Sequence, residues 1–177
     1  MSTNATAIAV FHTHEKAEAA IRELEKSGFN LKKLSIIGKD YHTEENVVGY
    51  YNTGDRMMSW GQNGAFWGGL WGLLFGSAFF LLPGVGPVLV AGPMVGWIVG
   101  AIEGAAVVGG IGVLGGALAS IGVPENTIVQ YESELKIGKF LVIAHGTPEE
   151  VARAKHHFDQ SKSAVTTIHG EPVVVSA

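Results

Sequence analysis

Residues 61–104 read GQNGAFWGGLWGLLFGSAFFLLPGVGPVLVAGPMVGWIVGAIEG, and the fold turns on how this stretch is interpreted. Glycine recurs every four residues, at Gly64, Gly68, Gly72 and Gly76, then at Gly92, Gly96, Gly100 and Gly104, and again at Gly112 and Gly116. Between Met57 and Pro124 the only charged residue is Glu103. Inside a helix in water each glycine costs about 1 kcal/mol relative to alanine, so a ladder at one-turn spacing implies a compensating gain. A glycine stripe makes a flat groove in which two helix backbones touch, the small-xxx-small packing of membrane helices. Residues 61–82, as a helix, are long enough for a hydrocarbon core of about 30 Å at about 1.5 Å per residue. Pro83-Gly84-Val85-Gly86-Pro87 is a turn that no helix continues through, and residues 88–122 form a second apolar stretch. The segment therefore predicts an apolar α-helical hairpin. Arg56 on one flank and Lys136 and Lys139 on the other place both ends on the cytoplasmic side of an inner membrane. The same pattern fits a cytoplasmic homo-oligomeric shell or ring with its hairpins turned inward. A hairpin buried within one monomer is disfavoured, because so small a domain encloses little apolar surface.

The flanks follow a different rule. Residues 6–11 alternate weakly as a strand. Residues 13–27 carry Ala17, Ala20, Ile21 and Leu24 on one helical face, and Gly28 ends that helix where a left-handed residue is wanted. Residues 34–38 are a second strand. Beyond the apolar block, residues 124–136 place Ile128, Tyr131 and Leu135 in helical register, and residues 140–144 are a strand. Thr147-Pro148-Glu149-Glu150 then opens a helix, with Thr147 as cap, Pro148 in the first turn and Glu150 closing a capping box. That helix buries Val151, Ala154 and Phe158, and a strand follows at 164–168. Two βαβ halves predict an α+β fold, a ferredoxin-like βαβ–αβαβ sandwich interrupted by the hairpin. The segments are 1–56, 57–123 and 124–177. Two helices would cover one face of the sheet and leave the other open to a partner or a second copy.

Composition narrows the chemistry. The 177 residues carry a net charge of -4 and no cysteine, which excludes disulfides, thiolate metal sites and cysteine nucleophiles. No basic run points to nucleic acid. Residues 1–10 lack the basic start and apolar core of a signal peptide, so the polar parts are expected in the cytoplasm. Gly110, Gly112 and Gly115 match the dinucleotide-binding spacing. A glycine ladder precedes them instead of a buried strand, so no nucleotide is expected. Ser35, Ser59, Ser77 and Ser120 lack a nucleophile-elbow context. No catalytic set and no cofactor emerge. Glu103, ionisable within an apolar segment, is a candidate for a proton or ion path, with snorkelling to water as the plainer alternative. With strands 6–11 and 140–144 taken as parallel neighbours, His12 and His145 would meet at their ends as a candidate zinc or copper pair.

The glycine ladders, Pro83–Pro87, and the run from Gly122-Val123-Pro124-Glu125 through Tyr131-Glu132 to Gly138 together resemble a family of bacterial general-stress and low-temperature-induced proteins. The resemblance spans about residues 7–170. It implies a ferredoxin-like domain with a glycine-zipper insertion and a role in stress or envelope physiology, and it brings no active site. The expectation is a non-enzymatic, membrane-associated stress protein that self-assembles through its glycines and acts as a scaffold or remodeller of the bilayer. The soluble shell and the Glu103 path are the alternatives.

Overall fold

The structure, a computed structural model, describes residues 5–39, 77–82, 85–103, 112–161, 163 and 165–170. Six strands form one sheet: β1 (Ala5–Phe11), β2 (Leu34–Lys39), β3 (Ser77–Leu82), β4 (Gly86–Ala91), β5 (Phe140–Gly146) and β6 (Val165–His169). Their spatial order is β3-β4-β2-β5-β1-β6, and every pairing is antiparallel. Among the described residues there are five α-helices: α1 (His14–Lys26), α2 (Met94–Glu103), α3 (Val113–Ser120), α4 (Glu125–Lys136) and α5 (Pro148–Gln160).

Local signals explain the flanking elements. Thr13 caps α1 by accepting from the Lys16 amide, and Gly28 follows the helix with φ +84°. Thr147 and Glu150 form the expected capping box at α5, with Pro148 in its first turn. Helix α4 buries Ile128, Tyr131 and Leu135.

Strand alternation sorts the core into two layers, since successive side chains point to opposite faces. On the first face Ala7, Ala9, Phe11, Leu34, Ile36, Val142 and Ala144 meet Ala17, Ile21 and Leu24 of α1 and Val151, Ala154 and Phe158 of α5. On the second face Ile8, Val10, Ile37, Val88, Val90, Leu141 and Ile143 meet Met94 and Ile98 of α2, Leu114 and Leu118 of α3, and Ile128, Tyr131 and Leu135 of α4. The result is helices on both sides of a sheet.

Three expectations are corrected by this arrangement. The second face is not open: residues 94–135 cover it, so this part of the apolar block is buried within the single chain. The arms beside the 83–87 turn are strands rather than helices, with Leu82 opposite Gly86 and Ser77 opposite Ala91. A short apolar run reads equally well as a buried helix or a buried strand. Here β2 presents an edge that β4 satisfies, pairing Ile36 with Ala91 and Lys39 with Val88. Among the described residues no helix is long and apolar enough to cross a membrane. The third correction concerns strand direction. β1 and β5 run antiparallel, with Thr6 opposite His145 and Phe11 opposite Phe140. Each βαβ half makes its own two strands parallel with a gap between them, and β5 enters the gap of the first half reversed.

Candidate functional site

The glycines separate into four groups. Gly64, Gly68, Gly72, Gly76 and Gly104 lie outside the described residues. Gly92 does not belong to a helical groove. It stands between β4 and α2 with φ +88°, and a Cβ there would overlap the carbonyl oxygen of Leu34. Its requirement is close passage of the chain over β2, which only glycine permits in that conformation. Gly112 precedes α3 as its cap residue, and Gly116 lies half-buried within that helix. Gly96 and Gly100 do lie on a helix, one turn apart on the outer face of α2, and both are exposed. A Cβ added to either meets nothing within 4 Å. Beside them Val99 is 38% and Ile102 51% exposed. The inner face of the same helix is apolar and buried through Met94 and Ile98. Helix α2 is thus apolar on both faces, packed on one and bare on the other among the described residues. Glu103 is its last residue.

The proposed histidine pair is not formed. His12 follows the end of β1 that faces Phe140, whereas His145 lies opposite Thr6 near the other end. At about 3.4 Å per residue the two are about 20 Å apart along the sheet. Among the described residues no group of three or more potential ligands gathers to hold a metal.

His145 instead belongs to a polar row on the otherwise apolar second face. Thr6 on β1 lies opposite both His145 on β5 and His169 on β6. The His145 Nε2 lies 3.1 Å from Ser35 Oγ, and Ser35 Oγ accepts a 3.0 Å hydrogen bond from the Met94 amide. Having accepted there, the Ser35 hydroxyl has its own hydrogen to donate to an unprotonated Nε2. Trp97, one turn further along α2, packs edge-to-face on His145 with ring centroids 4.5 Å apart. Burial pushes the His145 imidazole down to about 4. At the other end of the row the Tyr131 hydroxyl and His169 Nε2 share a 2.9 Å hydrogen bond, which joins α4 to β6. Burial lowers the His169 imidazole and raises the Tyr131 phenol.

Ser35 is fully buried, so its pairing with His145 offers no route for a substrate. What the pairing accomplishes is attachment: a strand hydroxyl supplies the cap that the start of α2 needs. Ser35, Trp97, Tyr131 and His169 carry no spacing signal for this. Their partners lie 38 to 110 residues away in sequence for the three hydrogen bonds.

Residues 6–79 match the heat-induced stress protein YflT domain. The match covers somewhat under half of the 177 residues and indicates a stress-induced protein family. No curated protein and no solved structure matches the chain.

Proposed function

We propose that this is a non-enzymatic stress-response protein that works by self-assembly through the small-residue outer face of α2. The observation that carries the reading is the bare pair Gly96 and Gly100 beside exposed Val99 and Ile102. Each of those glycines costs its helix about 1 kcal/mol relative to alanine, and no contact within the described chain offsets that cost. Close approach of a second backbone would offset it, as in small-xxx-small packing. In this reading the two βαβ halves, with strand order β2-β5-β1-β6, act as a ferredoxin-like platform that holds α2 outward. The stress role is supported by the match of residues 6–79. Assembly is assigned to the cytoplasmic side of the inner membrane.

The test is size analysis of untagged protein after carbonate and high-salt washing, for the native chain and for Gly96→Leu and Gly100→Leu. Because a Cβ has open space at both positions, these variants are expected to keep the monomer fold, which circular dichroism checks. The native protein is expected as a discrete homo-oligomer, and the leucine variants as smaller species. Leucine variants that assemble like the native chain would remove α2 from the interface. Native protein that stays in the membrane pellet until detergent is added, with no oligomer afterwards, would assign the face to lipid.

A further inference from the structure

We infer that Ser35, His145 and Trp97 form an acid-sensitive latch that holds α2 on the second face of the sheet and releases it when the imidazole takes a proton. The latch is independent of the assembly reading, because it lies on the inner side of α2.

Besides the burial of Met94 and Ile98, the start of α2 is held by a polar contact. Gly92 carries the chain directly over the Leu34–Ser35 backbone, and Pro93 then leads into the helix with no amide hydrogen of its own. The first helical amide, Met94, donates to Ser35 Oγ across 59 positions of sequence. Ser35 in turn reaches His145, and His145 carries Trp97 from the next turn of α2 on its ring. Two successive turns of α2 therefore rest on one histidine, directly through Trp97 and through Ser35 at Met94.

Protonation of Nε2 reverses the bond at Ser35. The hydroxyl would then accept from both Met94 and His145, and its own hydrogen would lose its acceptor inside the core, which costs free energy. The new charge would also stand in a site where burial is the cause that acts on it. The elements packed on His145 present Thr6 from β1, Ser35 from β2 and Trp97 from α2, and none of these carries a charge. The nearby Lys33 and Glu150, on the far side of Gly146, are paired with each other at 2.7 Å.

Amide hydrogen exchange of the full chain, corrected for intrinsic pH dependence, tests the latch at about pH 7 and about pH 4.5. Protection of residues 94–103 should fall by about tenfold or more at the lower pH and stay below that of α5 at both pH values. In His145→Gln, an uncharged side chain that still accepts from Ser35, α2 should lose clearly less protection than in the native chain, the remainder belonging to His169. The latch is overturned by α2 protection that is unchanged in the native chain, by α2 and α5 showing one and the same protection at both pH values, or by equal loss in His145→Gln. If His145→Gln shows no protection anywhere at about pH 7, the contrast between α2 and α5 in the native chain decides alone.

Discussion

Gly92 and Gly28 are both glycines with positive φ, yet they meet different surroundings. A Cβ added to Gly28, at φ +84°, has nothing within 4 Å, whereas the same atom at Gly92 would run into the Leu34 carbonyl and crowd Ser35 Cα at 2.9 Å. Gly28→Ala therefore bears only the left-handed backbone penalty, about 1–2 kcal/mol. Gly92→Ala bears that penalty and must also move α2 off β2. Urea unfolding should show Gly92→Ala losing at least about 2 kcal/mol more than Gly28→Ala, in the range of overpacked cores. Equal losses would mean that the passage over β2 is looser than the geometry indicates. The role of Gly28 was legible from its place after an amphipathic helix. That of Gly92 was not, because four-residue spacing from Gly96 gave it a false helical context, and its true neighbour is a strand nearly sixty residues earlier.

At the scale of the element, α2 has two apolar faces with different fates. Met94 and Ile98 are fully buried, and Gly96, Val99, Gly100 and Ile102 are exposed. Alanine at Gly96 or Gly100 has room and lowers the conformational cost of the helix. Each of Gly96→Ala and Gly100→Ala should raise the unfolding free energy of the monomer by about 1 kcal/mol, read from denaturant midpoints under dilute, monomeric conditions. The same substitutions should weaken any assembly that uses the groove. A gain in monomer stability with undiminished assembly would show that the glycines are not kept for packing. The helical character of residues 94–103 was expected from sequence, but the strands at 77–82 and 86–91 were not. Phe79, Phe80, Val88 and Val90 suit a strand as well as a buried helix. The open edge of β2 selects between them, and no local signal reports that edge.

For the whole molecule, one half-buried and one buried imidazole couple stability to pH. Burial holds His145 down at about 4, and moves His169 in the same direction. Unfolded histidine titrates near 6.5. Between those values the unfolded chain binds a proton at position 145 that the folded chain refuses. Stability is thus full above about pH 6.5 and is lost as pH falls toward about 4, on the order of 3 kcal/mol for His145. His169 adds to the loss. Unfolding free energies measured across that window should decline in the native chain and decline less in His145→Gln. A flat profile would show that neither imidazole is kept neutral by the fold.

Sequence alone determined what short-range physics determines. The Thr147 cap, the stop at Gly28, the buried faces of α1, α4 and α5, and the alternation of strand and helix in each half rest on residues close to one another in the chain. Tertiary structure decided the rest. It set the antiparallel order of β1 and β5, which separates His12 from His145, and it made strands of the arms beside the 83–87 turn. It also laid α2, α3 and α4 over the face that looked open, and gave α2 a cap from Ser35. Each of these depends on which strand edge and which apolar face remain unsatisfied once the two halves meet. Partners such as Met94 with Ser35, 59 residues apart, and Ser35 with His145, 110 apart, leave no periodic trace in the chain.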